Sequence, residues 1–351
     1  MSEHDLIRYL NIDGQTAQPL PDWATERTHL VRYYEAMVLC RAADLKAVAL
    51  QRTGQLGTYP SALGQEAIAT VMGALMEPDD VLVPYYRDHC AKFQRGVGWE
   101  HIYRYWGGDE WGSFAGPKHD FPDCVPIATQ CGHAIGVAAA FKVRSQRHIA
   151  VCSLGDGATS KGDFYEAINT AGVWKLPVVF VVNNNQWAIS VPRRLQTSAP
   201  TLSQKGTAVG IKGVRVDGND IVALHEVFTE AYQRARYQSR STLIEAVSYR
   251  LGDHTTADDA TRYRPQEEVA QAWNEEPVRR LQQFMAAKGW WDESQEQALQ
   301  ARVKNQVDEA VQKYLSFPEP PLSDAFDYHY EDMPAGIEEQ KQEAIRWKEQ
   351  G

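Results

Sequence analysis

A carboxylate and an amide follow two neighbouring apolar segments of the sequence, each at the point where the segment ends. Asp156 comes just after segment 149–154, and Asn185 comes just after segment 177–182. The residues between them, 163–174, have the pattern of a helix, so the unit is predicted to be strand, helix, strand. Because the carboxyl ends of parallel strands meet at one edge of a sheet, we expect the two side chains to lie close together.

Oxygen atoms of Asp and Asn are ligands that Mg²⁺ accepts, in an octahedron that phosphate oxygens and water usually complete. Gly155 and Gly157 flank the Asp, and glycine lets backbone N–H groups come close to a diphosphate. The helix that follows is expected to point its positive end the same way. A Gly-Asp-Gly turn is common by itself, but together with the amide after the next strand it predicts a site for a metal and a diphosphate.

The composition limits the class of protein. The chain has 351 residues, 43% of them hydrophobic, which is enough to bury a large core in one α/β domain or in two smaller ones. Its net charge is −10 and it has no basic run, so nucleic acid and anionic membranes are not expected as partners.

The cysteines and the amino terminus indicate a reducing compartment. The cysteines are scattered without a CxxC pair, which predicts free thiols. The first residues, MSEHDLIRYL, lack the pattern of a signal or transit peptide, and no apolar run has membrane-spanning length. We therefore predict a cytoplasmic protein. The cysteines are Cys40, Cys90, Cys124, Cys131 and Cys152.

Strand and helix patterns alternate through the middle of the chain, which predicts an α/β fold with a mainly parallel sheet flanked by helices. Turn-forming residues before this region indicate an N-terminal extension at 1–27, and charged helical patterns follow it. We predict an α/β domain at 28–270 and a C-terminal helical segment at 271–351 that packs on the same domain.

Several motifs in one order resemble a known family. The GDG motif with its following amides is similar to the thiamine-diphosphate signature, and its surroundings resemble the alpha subunit of the decarboxylating first component of 2-oxo acid dehydrogenase complexes. Within this family the motifs look most similar to bacterial pyruvate dehydrogenase alpha chains. The resemblance covers nearly the whole chain and implies the thiamine-diphosphate-binding fold. The other motifs are LQRTGQLGTYPSALGQEA, EPDDVLVPYYRDH, VPIATQ, GDFYEAINTAGVWKLP and YRLGDHTTADDATRYR.

The resemblance implies that thiamine diphosphate and Mg²⁺ are the cofactors. The metal ligands would be Asp156, the side-chain oxygen of Asn185 and the backbone carbonyl of Trp187. An arginine suits the diphosphate because it offers a planar fork of donors. The positions implied to contact the organic cofactor are Tyr86, Arg87, Val125, Ile127, Gly155, Asp156, Gly157, Ala158, Asn185, Arg250 and His254.

Three implied roles go beyond holding the cofactor. Ile127 corresponds to an apolar side chain that lies beneath the cofactor and bends it, so that its two rings approach each other. His254 lies in a polar, loop-like stretch and corresponds to an active-site histidine, which we expect to orient the diphosphate or to transfer protons to the lipoyl acceptor, with Arg250 as support. Asp163 and Glu166 lie one helical turn apart and correspond to positions that line an acidic passage between two active sites.

The resemblance also implies partners. In this family the Glu that activates the pyrimidine ring of the cofactor comes from a separate beta subunit. The chain is therefore expected to be incomplete by itself and to form an α2β2 heterotetramer. As the alpha subunit of an acetyl-transferring pyruvate dehydrogenase, it would decarboxylate pyruvate oxidatively and acetylate a lipoyl domain of the acyltransferase core.

Other functions remain open from the sequence. A branched-chain 2-oxo acid or acetoin dehydrogenase alpha subunit would have the same motifs, because part of the substrate pocket belongs to the other chain. A metal-dependent phosphohydrolase could use Asp156 with magnesium, but it would need further acids at strand ends, where this sequence has amides. A non-catalytic scaffold subunit would be expected to have lost the site residues, and they are present.

Overall fold

A five-stranded sheet lies at the centre of the molecule, which is a computed structural model that describes residues 6–350. The strands in chain order are β1 (Val81–Val83), β2 (Ala150–Gly155), β3 (Val178–Asn184), β4 (Trp187–Ala188), β5 (Val191–Pro192), β6 (Lys212–Asp217) and β7 (Thr242–Val247). In the large sheet the order is β1, β2, β3, β7, β6, and every neighbouring pair is parallel. The predicted α/β fold with a mainly parallel sheet flanked by helices is confirmed.

Helices cover both faces of this sheet and continue to the end of the chain. They are α1 (Arg27–Arg52), α2 (Glu66–Ala74), α3 (His89–Gln94), α4 (Trp99–Trp106), α5 (Thr129–Val143), α6 (Gly162–Trp174), α7 (Arg193–Gln196), α8 (Gln204–Thr207), α9 (Ile221–Gln238), α10 (Gln266–Glu275), α11 (Pro277–Ala287), α12 (Glu293–Ser316), α13 (Asp324–Asp327) and α14 (Ala335–Gln350). In the C-terminal part, α11 contacts α1 and α2, and α12 contacts α1 and α4.

The central strands are buried on both faces, which explains why most of their residues are apolar. Val151 and Val179 face one hydrophobic core, which they share with side chains of α1, α2 and α9. Their neighbours Cys152 and Phe180 face a second core, which they share with side chains of α5 and α6. Alternate side chains of each strand therefore point into two different hydrophobic cores, rather than into a core and into solvent.

The chain between β2 and α6 differs from the expected strand-to-helix turn. A short 3₁₀ helix, Asp156–Ser160, directly follows the glycine at the end of β2. The Thr159 hydroxyl donates to the Asp156 carbonyl at 2.8 Å and closes this turn, and Lys161 is extended, so α6 begins only at Gly162. The turn, rather than α6, is the element that follows the Gly-Asp-Gly motif.

The described part of the predicted N-terminal extension lies against the edge strand β6. Ile7 forms a parallel bridge with Val216, and the backbone N–H groups of Tyr9 and Leu10 donate to the Asp220 carboxylate at 2.5 and 2.7 Å. Residues 1–5 of this extension lie outside the described part of the chain.

The prediction of free thiols is confirmed, because all five cysteines are unpaired. Among the described residues, no helix is both long enough and apolar enough to cross a membrane.

Candidate functional site

A cavity of about 480 Å³ opens at the carboxyl ends of β2 and β3. These strands pair in register, with Gly155 opposite Asn183, so the turn after β2 and the segment after β3 face each other across it. The cavity therefore lies where the sequence predicted the site. The predicted positions that line it are Tyr86, Arg87, Ile127, Gly155, Asp156, Gly157, Ala158, Asn185, Trp187 and His254.

A larger cavity, of about 630 Å³, lies on the other side of Trp187 at the ends of β6 and β7. It has arginines, but acids accompany them: Arg8 forms an ion pair with Asp217 at 2.7 Å. We place the candidate site in the smaller cavity for two reasons. The predicted residues line it, and its charged side chains do not form ion pairs with one another.

Asp156 is a buried carboxylate without a cation. Its side chain is almost fully buried, and the side-chain hydrogen bond that it accepts comes from the neutral amide of Gln196, with Nε2 and Oδ2 2.6 Å apart. Burial raises the pKa of this carboxyl above its ordinary value, and the Gln196 hydrogen bond and the charges of Arg250 and Arg193, which form no ion pair with Asp156, offset the shift only in part. A metal ion would supply the missing positive charge.

The amide of Asn185 has a fixed orientation in the cavity wall. Its Nδ2 donates to Oε1 of Gln65 at 3.0 Å, so its Oδ1 lies at the other end of the planar amide group. This oxygen accepts the Trp187 N–H at 3.2 Å and has a second lone pair left for a ligand. The Trp187 carbonyl accepts from a guanidinium nitrogen of Arg250 at 3.3 Å. The predicted metal ligands thus converge on one wall of the cavity.

The backbone around the Gly-Asp-Gly turn is tightly packed. A Cβ at residue 157 would lie 2.6 Å from Cβ of Ala188, in the β4–β5 hairpin, so glycine is required for the two segments to come this close. Two non-glycine residues of the cavity wall, Ala128 and Ile189, have positive φ angles of 70° and 53°. Such backbone conformations cost of order 1 kcal/mol each and are concentrated at functional sites.

Arg87 supplies positive charge in the cavity wall. Its guanidinium is buried and donates to the Ser61 carbonyl at 2.7 Å and to the His254 carbonyl at 2.7 Å. The ring of Tyr86 lies against the same guanidinium, with its centroid 5.2 Å from Cζ. The guanidinium group of Arg87 is therefore held in place by backbone carbonyl groups before any ligand binds.

His254 lies in a loop, as predicted, and is neutral in this environment. Its Nδ1 is 3.0 Å from Nη2 of Arg87 and 3.4 Å from Nη1 of Arg250. Burial, followed by the charges of these two guanidinium groups, lowers the pKa of His254 to about 3. Because Nδ1 accepts from guanidinium groups, the ring proton is on Nε2, which can donate to a ligand.

Four predicted positions do not line the cavity. Val125 is half exposed outside it, and Arg250 lies buried behind it, where it donates to the Ile189 carbonyl and to the Tyr263 hydroxyl, both at 2.8 Å. Arg250 therefore holds the hairpin, and its contact with the cofactor stays a prediction. Asp163 and Glu166 lie on the exposed face of α6.

Several lining residues were missed from the sequence. Ser160 and Lys161 could have been found, because they follow the Gly-Asp-Gly motif directly. The others come from distant segments with no local pattern that would mark them. The cavity-lining residues that were not predicted are Tyr85, Cys124, Ala128, Gln130, Ser160, Lys161, Ala188 and Ile189.

The family model described as dehydrogenase E1 component matches residues 34–323. An α/β fold with this cavity at the carboxyl edge of its sheet is consistent with that match. The chain belongs to the dehydrogenase E1 component family.

Relatives of the chain are alpha subunits of such enzymes. It is 40% identical over 311 residues to the 3-methyl-2-oxobutanoate dehydrogenase subunit alpha of Mycobacterium tuberculosis, which covers 88% of this chain and 85% of the relative. It is 38% identical over 324 residues to the pyruvate dehydrogenase E1 component subunit alpha of Acholeplasma laidlawii, covering 91% and 94%. For the corresponding subunit of Staphylococcus epidermidis the identity is 35% over 349 residues, covering 97% and 92%. The predicted family resemblance is confirmed.

Proposed function

We propose that this chain is the alpha subunit of the first component of a pyruvate dehydrogenase complex, and that it binds thiamine diphosphate with Mg²⁺ in the 480 Å³ cavity. With a beta subunit it decarboxylates pyruvate oxidatively and acetylates a lipoyl domain, in the cytoplasm. The observation that carries this proposal is that Asp156, which forms no ion pair among the described residues, lines the cavity together with Asn185 and the buried Arg87.

The donor set suits the metal and the diphosphate. Asp156, Oδ1 of Asn185 and the Trp187 carbonyl would supply hard oxygen ligands of the kind that Mg²⁺ prefers. The guanidinium of Arg87 and the Nε2–H of His254 would donate to the diphosphate. Positive and negative groups thus stand where a metal and its anionic partner need them.

When bound, thiamine diphosphate supplies the electron sink that decarboxylation of a 2-oxo acid requires. Ile127 offers an apolar surface within the same cavity, where it would support the cofactor rings. Its side chain is 44% exposed in this chain, so it needs a cofactor or a partner to cover it.

A partner subunit is part of the proposal because the cavity lacks an acid for catalysis. Asp156 is the acidic residue among the described side chains that line it, and the proposed metal occupies that carboxylate. A Glu that activates the pyrimidine ring would have to come from another chain. This supports the α2β2 heterotetramer with the site between alpha and beta subunits.

The branched-chain alternative has a specific observation in its favour. One of the relatives, at 40% identity, is named a 3-methyl-2-oxobutanoate dehydrogenase subunit alpha, whereas the relatives named pyruvate dehydrogenase have 35–38% identity. We propose pyruvate as the substrate, with 3-methyl-2-oxobutanoate as the second candidate. An acetoin dehydrogenase alpha subunit has no such observation to support it.

Titration and turnover test the proposal separately. The chain is combined with a candidate beta chain, and thiamine diphosphate binding is measured by calorimetry with Mg²⁺ and with EDTA. The complex is then assayed with pyruvate, 3-methyl-2-oxobutanoate and acetoin, using lipoyl domain as acceptor. We expect Mg²⁺-dependent binding and the highest kcat/KM for pyruvate. Absence of binding would contradict the cofactor assignment, and preference for the branched substrate would contradict the substrate assignment.

A further inference from the structure

Five buried polar side chains form one continuous hydrogen-bond path that ends at Asn185. The path starts at Ser248, whose hydroxyl donates to Oδ1 of Asn183 at 2.9 Å. Asn183 in turn donates through Nδ2 to the hydroxyl of Tyr85 at 2.9 Å. Tyr85 donates to Oε1 of Gln65 at 3.4 Å, and the same oxygen accepts Nδ2 of Asn185 at 3.0 Å.

The directions of the hydrogen bonds in this path are fixed from its Asn185 end, where the backbone N–H of Trp187 can only donate and does so to Oδ1 at 3.2 Å. The NH₂ group of Asn185 therefore faces Oε1 of Gln65. Asn183 accepts the Ser248 hydroxyl and turns its NH₂ group to Tyr85. The Tyr85 oxygen accepts from this NH₂ group, so its own proton is directed to Gln65. Burial raises the pKa of Tyr85 far above its ordinary value, which keeps that proton in place.

Gln65 is the acceptor that joins this path to Asn185. Its Oε1 receives two donors, whereas its Nε2 is buried and has no hydrogen-bond partner among the described residues. Leaving a buried donor unpaired costs about 1–3 kcal/mol, so this orientation is maintained against a local cost. If the Gln65 amide were reversed, its NH₂ group would face the NH₂ group of Asn185.

We propose that Gln65, Tyr85 and Ser248 are positioning residues that fix the amide of Asn185 with its oxygen toward the metal. The inference rests on the proposed function, in which that oxygen is a magnesium ligand. An amide has one oxygen and one NH₂ group, so reversing it would present two N–H donors to a cation. The path prevents this reversal without contacting the metal.

The path also gives a function to consecutive amides at the end of β3. Asn185 faces the cavity, and Asn183 belongs to the path that orients it. Asn184 points elsewhere and donates to the buried carboxylate of Glu245 at 2.7 Å.

The test is a double-mutant comparison built on the symmetry of a carboxylate. Gln65→Leu removes the acceptor at similar volume, and Asn185→Asp replaces the amide by a group whose two ends are both oxygen. Binding of Mn²⁺ with thiamine diphosphate to the full chain and its beta partner is followed by electron paramagnetic resonance. Thermal unfolding of each variant is measured in parallel.

We expect Gln65→Leu to weaken Mn²⁺ binding about 10–100-fold in the native background, as changes to groups that orient metal ligands do. In the Asn185→Asp background the same change should have almost no effect on Mn²⁺ affinity. Ser248→Ala should weaken binding in the native background, whereas its matched control Ser241→Ala should not. Ser241 is also a buried serine, and it donates to the Leu176 carbonyl at 2.8 Å, away from the path.

Equal losses of affinity in both backgrounds would mean that Gln65 only supports the local packing, and would overturn the inference. Unchanged affinity of Gln65→Leu in the native background would overturn it as well. If the native protein itself fails to bind Mn²⁺ with thiamine diphosphate, the proposed function fails first, so the two failures are distinguishable.

Discussion

Two side chains of the cavity, Asp156 and His254, have pKa values that are shifted in opposite directions in the free chain. Asp156 is buried without a cation, and burial raises its pKa. His254 faces two guanidinium groups, and burial together with these charges lowers its pKa to about 3. A cation beside the first and an anion beside the second would relieve both. The residues therefore select for a ligand that carries both signs of charge.

Asp156→Asn should remove metal-dependent cofactor binding and leave the fold intact. The amide keeps an oxygen for the Gln196 hydrogen bond but removes the buried charge, so we expect at least a 100-fold loss of affinity with no decrease in the Tm of the free chain. Calorimetry and thermal unfolding measure the two effects. Asp163→Asn, an exposed acid on α6, is the control. Tight binding by Asp156→Asn would refute the metal assignment.

His254→Asn should make the free chain less sensitive to acid. The folded pKa of His254 lies at about 3, below the ordinary value of 6.5, so the unfolded chain binds the proton more readily. The stability of the native chain therefore falls as pH decreases from about 6.5 toward about 3. The variant lacks this histidine, so its stability should fall less over the same range.

We compare the Tm of the native chain with that of His254→Asn at pH values from about 7.5 to about 5. The Tm advantage of the native chain over His254→Asn should shrink as pH falls. Parallel curves for the native chain and His254→Asn would show that the histidine charges freely in the folded state.

At this scale the sequence predicted the side chains that we propose as metal ligands, but not the groups that we infer to orient them. Asp156 and Asn185 follow apolar strand patterns, so topology alone places them together. Gln65 and Tyr85 lie before the motif, and their contacts with Asn185 and Asn183 depend on tertiary packing that no spacing encodes.

At the scale of elements, the close approach of the 3₁₀ turn and the β4–β5 hairpin shapes the metal side of the cavity. Strands β2 and β3 were predicted to within about two residues, because buried apolar runs are distinctive. The hairpin and the turn were missed. Strands of two residues and a single 3₁₀ turn are too short to produce a periodic pattern, and tertiary contacts determine them.

Gly157→Ala tests this approach. The new Cβ would lie 2.6 Å from Cβ of Ala188, so the turn and the hairpin must separate, which should lower the Tm of the free chain and weaken cofactor binding about tenfold or more. Gly155→Ala is the matched control for stability, since its Cβ would meet only Cε2 of Tyr85, at 3.9 Å. Equal Tm values for the two variants would contradict the packing argument.

At the scale of the whole molecule, the cavity opens beside apolar side chains that this chain leaves uncovered. Ile127 and Ile189 on its wall are 44% and 55% exposed. A second subunit that completes the site would cover them, and burial of apolar area contributes roughly 25 cal/mol per Å² to such an association. A second subunit that covers the open cavity would also supply the Glu that the proposed function requires.

The free chain should therefore be inactive, and adding the matching beta chain should produce 2-oxo acid decarboxylation together with a two-plus-two assembly. Native mass spectrometry measures the assembly, and carbon dioxide release measures the activity. Ile189→Asp should weaken assembly because it places a charge in the covered surface, whereas the exposed Leu315→Asp on α12 should not. Decarboxylation by the free chain at the rate of the complex would refute the shared site.

The N-terminal segment on β6 has a consequence for how the polypeptide reaches this shape. Ile7 pairs with Val216, and Asp220 accepts from the backbone of Tyr9 and Leu10 across more than 200 positions of sequence. During synthesis, the outer edge of the sheet cannot be closed until most of the chain has left the ribosome. The segment emerges first and is already present when β6 is made, so its pairing with β6 can then cover an edge that would otherwise present unpaired backbone groups to other chains.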